Sequence, residues 1–189
     1  MKKILPTVLA ALALAGCANY RWTSPVPADM RTVSVPTFRN ETDLVELGAV
    51  TTRQVLREFQ REGTFKIASA DDAAVEVQGV LKTASSGLIY YKREMSMRAY
   101  EQRLVISAEV SFVDRRSGKV IVDNRKYVAE TTYFSDTDIA TSRRDASGRA
   151  AEDLARQIVD DVVSCRWDNA KAKEETKWCA KQSSAELTE

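Results

Sequence analysis

The amino-acid sequence predicts an α+β two-layer sandwich, with two helices packed on one face of a mixed, mainly antiparallel sheet. That expectation rests on two stretches whose apolar residues repeat with a helical period. It rests also on the segments between them, whose apolar residues recur at every second position, the longest pair joined by a tight turn.

The first expected element is a short strand, where Val33 and Val35 alternate with Thr32 and Ser34 ahead of Pro36. From Asp43 the period changes. Leu44, Leu47, Thr51, Val55 and Phe59 share one face at 100° per residue, while Arg53, Arg57, Gln60 and Arg61 fall mostly elsewhere. Asp43 is placed to cap this helix, with Glu46 three residues on, and Gly63 to end it in a left-handed conformation. Phe65 and Ile67 then alternate briefly. A longer strand follows, with Val75, Val77, Gly79 and Leu81 against Glu76, Gln78 and Lys82. Between Thr83 and Ala99 no period holds, which fits either a long loop or an irregular extension of the strand.

Leu104, Ile106, Ala108, Val110 and Phe112 form the longest strict alternation in the chain. Asp114 to Gly118 makes a turn and Val120 to Phe134 returns, an antiparallel hairpin. A second helix is expected on the face shared by Ser147, Ala151, Leu154, Ala155, Ile158, Val162 and Cys165. Arg149, Glu152, Asp153 and Arg156 are set away from that face, and Cys165 stands at its inner end. After Arg166 the stripe is lost.

Lys2 and Lys3, the apolar run from Ile4 and the close in Leu14-Ala15-Gly16-Cys17 have the form of a secretory signal peptide ending in a lipobox. A membrane span needs about 20 apolar residues, and this run is shorter. Cleavage before Cys17 would leave that cysteine as the lipidated N-terminus, held by several acyl chains where one alone binds only marginally. The alternative is an ordinary secretory signal with an incidental cysteine. Ala18, in place of Asp, favours the outer membrane, on its periplasm-facing side. The expected organisation is a signal peptide over 1–16, a lipidated tether over 17–30, a folded domain over 31–165 and a charged tail over 166–189.

Without residues 1–16 the chain keeps 26 basic residues against 27 acidic ones, and so lacks the basic excess of a nucleic-acid binder. Lipidation consumes one of three cysteines. Cys165 and Cys179 are then an even pair in an oxidising compartment, for which a disulfide is the natural reading and two reduced thiols the alternative. With no histidine, and only two cysteines left, a zinc site lacks its usual ligands. The same absence removes Ser-His-Asp and Cys-His catalysis, and no glycine-rich phosphate loop is present. Asp71-Asp72, Asp136 with Asp138, and Asp160-Asp161 are paired carboxylates in polar turns, a loop and a helix end, where solvated roles are the rule. No enzyme is expected, and no cofactor beyond the covalent lipid on Cys17.

The stretch Val33-Ser34-Val35-Pro36-Thr37-Phe38-Arg39-Asn40-Glu41-Thr42 resembles the Val-Pro-x-Phe-x-Asn-x-Thr opening of the LptE family, the lipopolysaccharide-assembly lipoproteins of the outer membrane. Ala70 to Leu81, the turn from Phe112 to Val120, and Ala150 to Val163 look like the same family in the same order. The resemblance implies a partner and no reaction: a plug within the LptD-like outer-membrane β-barrel that helps the barrel fold and binds lipopolysaccharide. It implies basic contacts near the loop entering the central hairpin and near the start of the last helix. Arg144 matches the second, and Lys92, Arg93 and Arg98 are candidates for the first by location. Arg143 and Arg144 at a helix start oppose the macrodipole, so no helix-stabilising role explains them. Tyr90, Tyr91 and Tyr100 suit the same wet end, or equally a core or edge-strand position. The opening motif also resembles curli-secretion-type pore lipoproteins and lipoprotein activators of peptidoglycan synthases. Against the pore stands the lack of long alternating membrane hairpins, and against the activator the Ser-Gly-Lys-Val turn.

Overall fold

Six strands form one mixed sheet, and two helices cover one of its faces. The computed structural model describes residues 26–91, 99–134 and 138–165. A short 3-10 turn, Ala28–Met30, leads into β1 (Thr32–Ser34) and β2 (Arg39–Asn40), followed by α1 (Leu47–Glu62) and β3 (Lys66–Ile67). β4 (Val75–Tyr91), β5 (Ala99–Asp114) and β6 (Val120–Phe134) form a meander, and α2 (Ile139–Ser164) returns across it. The spatial order is β3-β1-β4-β5-β6, with β2 also paired to β4. The β1–β3, β1–β4 and β2–β4 pairs are parallel, and β4–β5 and β5–β6 are antiparallel.

The core lies where the alternation puts it. Leu104, Ile106, Ala108, Val110 and Phe112 are all fully buried, facing Leu47, Val55 and Phe59 of α1 and Leu154, Ile158 and Val162 of α2 in one cluster. Gly63 closes α1 at φ 81°, its N–H donating to the Phe59 carbonyl, as a left-handed C-cap does. Cys165 is buried at the C-terminal end of α2.

One open alternative is decided and two helix starts change. Residues 83–91 continue β4 as an irregular strand, with register shifts between Leu81 and Thr83 and again near Leu88 and Tyr90. Those shifts break the alternation. The first helix begins at Leu47, so Asp43 does not cap it; Glu46 holds the N-cap position without a side-chain capping bond. The last helix begins at Ile139, one turn before the start expected at Arg143 and Arg144, because the Asp138 carboxylate accepts from the backbone N–H groups of Ala140 and Thr141. Asp138, one of the paired carboxylates, is thus a cap. β2 has two residues and no legible period.

The edge strand β6 is partly closed by the helix above it. Arg149 donates to the Thr132 carbonyl at 2.8 Å and Gln157 to the Val128 carbonyl at 3.0 Å. Eight residues of helix rise about 12 Å and four residues of strand span about 13 Å, so the two spacings match. Near the end of α2, Asp161 accepts from the Tyr127 hydroxyl and pairs with Arg125 at 2.7 Å. A bulge at Asn124, φ 45°, inserts an extra residue into β6 and brings Val122 opposite Phe112, while Arg125 keeps the inward face it shares with Tyr127. Burial, with Asp161 beside it, pushes the Tyr127 hydroxyl far above its ordinary range.

Candidate functional site

The opening motif is a packing and turn device. Phe38 is buried between β4 and α1 in a slot that only glycine can line: a Cβ on Gly79 would stand 2.4 Å from the Phe38 ring, and one on Gly48 2.6 Å from the Phe38 carbonyl oxygen. The Phe38 N–H donates to Thr52 Oγ1 at 2.9 Å, and that hydroxyl donates to the Gly48 carbonyl. Asn40 then folds the chain. Its Oδ1 accepts from the Thr42 N–H and hydroxyl, while its Nδ2 donates to the carbonyls of Leu44 and Val45. The motif's Phe, Asn and Thr therefore set the position of the loop 41–46 that leads into α1.

That loop meets the start of α2. Arg143 donates to both carboxylate oxygens of Asp43, at 2.8 and 3.2 Å, and to the Ala84 carbonyl of β4 at 3.1 Å. The guanidinium beside Asp43 holds its carboxyl below the usual range. Arg144 pairs with Glu46 at 2.5 Å, far out in solvent, with the two side chains 70% and 63% exposed. Arg143 is only 24% exposed. Adjacent arginines thus have different situations, one clamped among three elements and the other presented to solvent.

Apolar side chains stand uncovered on the same half of the sheet. Val45, between Leu44 and Glu46, is 89% exposed. Ile139 opens α2 one turn before Arg143, Phe134 ends β6, and Leu88 and Ile89 lie on the extension of β4; all four are exposed. These residues belong to the part of the sheet away from Val26, where the described chain starts. The described chain starts at the other end, where Arg31 donates to the Val26 carbonyl and Arg116 of the β5–β6 turn pairs with Asp29. From Val75 at that end to Ala84 beneath Arg143 is roughly 30 Å of strand.

Of the residues singled out in the sequence, Arg144 is on this end; Lys92, Arg93 and Arg98 lie outside the described residues, as do Cys17, Cys179 and the side chains of Tyr90, Tyr91 and Tyr100. Val45 went unnoticed in the sequence, and Glu46 was read there only as part of a helix cap, not as the partner of Arg144. Three contacts in the opening motif were also hidden there, since their partners lie in α1 or β4. Among the described residues no cluster of three metal-ligating side chains occurs, and no helix is long and apolar enough to cross a membrane.

The order of elements, with the glycine-lined Phe38 slot and the Asn40 turn, raises the question of family. Residues 30–162 match the LptE family of lipopolysaccharide assembly. The chain belongs to the LptE family. The LptE match runs from the 3-10 turn to the last turn of α2 and so includes all six strands and nearly all of both helices. No curated protein matches the chain. Among solved structures, a candidate lipoprotein from Caulobacter crescentus is similar at 16% identity and TM-score 0.51, over 72% of this chain and 92% of that one. A minor lipoprotein from Acinetobacter baumannii is similar at 14% identity and TM-score 0.45, over 72% and 95%. The first of these likenesses is one of fold.

Proposed function

We propose that this LptE-family chain is an outer-membrane lipoprotein, anchored through Cys17, that seats in and stabilises an LptD-like β-barrel and contacts lipopolysaccharide with basic side chains at the end opposite its tether. The observation that carries the reading is the family match over the whole folded region. The geometry supports it. A guanidinium exposed beside Val45, with Ile139 and Phe134 at the same end, offers a phosphate its donors and an acyl chain its apolar contact. Arg144 is the proposed contact within the described residues, with Lys92, Arg93 and Arg98 as its proposed companions. The role is binding and assembly, with no catalytic step. Cys165, buried at the end of α2, pairs with Cys179 in this proposal and draws the tail back to the domain.

The test is purification of the tagged full chain from outer membranes, followed by binding of the complex to lipopolysaccharide. A β-barrel is expected to come with the chain. A variant carrying Arg93→Ala and Arg144→Ala is expected to keep the barrel while binding lipopolysaccharide about three- to tenfold more weakly, with a shallower salt dependence, because charge contacts have gone. Recovery of no barrel with the wild-type chain would overturn the assignment and favour a synthase activator. Unchanged lipopolysaccharide affinity in the variant would remove these arginines from the site.

A further inference from the structure

Arg144 does not wait unoccupied for a ligand. Its guanidinium already holds a carboxylate, that of Glu46, and the pair deserves a reason because the fold has little use for it. The two segments it joins, the loop before α1 and the second turn of α2, are tied more firmly by Arg143, which reaches both oxygens of Asp43 and the Ala84 carbonyl from a largely buried position. The Glu46–Arg144 pair is joined by a hydrogen bond from Nη2 to Oε2, between side chains that are both mostly in water. Such exposed pairs add little to stability. Nor does Glu46 serve its own helix: it stands at the N-cap of α1 but makes no side-chain capping bond. Its carboxylate is directed across to the next element instead.

We propose that Glu46 is a built-in competitor for the anionic group that Arg144 binds, setting the affinity of this end for lipopolysaccharide. The proposal rests on the reading of Arg144 as a lipopolysaccharide contact. A phosphate approaching Arg144 meets one donor already taken and a negative charge within hydrogen-bond distance of the same guanidinium. It must either displace the carboxylate or bind beside it, and both routes weaken the complex by a modest factor, since the pair is solvent-screened. The effect is a site that grips its amphiphile without holding it. That property suits a protein that passes a lipid onward. Arg143, by contrast, is committed to the fold and is not part of the exchange.

The experiment is a double-mutant cycle on the full chain in detergent with its barrel partner, reading affinity for fluorescently labelled lipopolysaccharide. Glu46→Gln keeps the side-chain shape and removes the charge; it is expected to tighten binding about two- to fivefold. Arg144→Ala is expected to weaken binding. In the Arg144→Ala background, Glu46→Gln is expected to change nothing, because the competition has lost its object. Glu62→Gln, exposed at the far end of the same helix, is the control for net charge and is expected to leave affinity unchanged. If Arg144→Ala weakens binding but Glu46→Gln does not tighten it, Glu46 is no competitor while the lipopolysaccharide reading of Arg144 stands. If Glu46→Gln tightens binding equally in both backgrounds, or if Glu62→Gln does the same, the effect is one of general charge and the proposal fails. If Arg144→Ala leaves affinity unchanged, the contact itself is lost and the competition with it.

Discussion

At residue scale the contrast between Arg143 and Arg144 separates structure from function within one dipeptide. Arg143→Ala leaves the Ala84 carbonyl and the Asp43 carboxylate without their donor, and is expected to lower stability by about 1–3 kcal/mol in urea unfolding. Arg144→Ala removes an exposed pair and is expected to change stability by less than about 1 kcal/mol. Equal losses for the two would contradict the assignment of roles. Gly79 offers a second test, because a methyl group there would collide with the Phe38 ring. Gly79→Ala is expected to destabilise by about 1–3 kcal/mol, and Phe38→Leu in the same chain to recover part of that loss, since the smaller side chain makes room.

At the scale of elements, what the sequence made legible depended on whether a period survived. The β5–β6 hairpin and the body of both helices read directly, because Leu104 to Phe112 alternate without interruption and Leu154, Ile158 and Val162 share a stripe. The start of α2 did not, since Ile139 to Asp145 carries no apolar stripe and its helical state rests on the Asp138 cap. The extension of β4 stayed one of two readings because its register shifts break the period. At Arg143 the unfavourable helix dipole pointed in the sequence towards a functional role, whereas its guanidinium is held by Asp43, 100 residues away, in a contact of the fold. Thr141 and the backbone at the start of α2 hold the Asp138 carboxyl below its ordinary range, as Arg143 does for Asp43. A carboxyl whose folded value is depressed adds stability above its unfolded value, near 3.9, and loses it as pH falls towards the folded one. Stability is therefore expected to hold level from pH 7 to about 5 and to decline below about pH 4. Asp138→Asn keeps a capping oxygen but cannot titrate, so its urea midpoint is expected to fall less steeply over the acid range than that of the wild type. A decline of equal steepness would assign the acid sensitivity to other groups.

At the scale of the whole molecule, the described chain starts at one end of the sheet, and the exposed cationic and apolar region lies about 30 Å along it. Cys17→Ala is expected to release the chain from the membrane fraction or leave it unprocessed, because in the proposed function an acylated Cys17 supplies the anchor. Non-reducing peptide mapping of the wild type is expected to find Cys165 joined to Cys179, and recovery of both as thiols would reject that pairing. The claim on which the rest depends is that the end bearing Val45 and Arg144 meets lipopolysaccharide. Its most direct test is photocrosslinking in growing cells, with a photoreactive side chain placed at Val45 in one strain and at Arg57, exposed on the outer face of α1, in another. An adduct with lipopolysaccharide at position 45 and none at position 57 is the predicted result; no adduct at 45, or equal adducts at both, would contradict it.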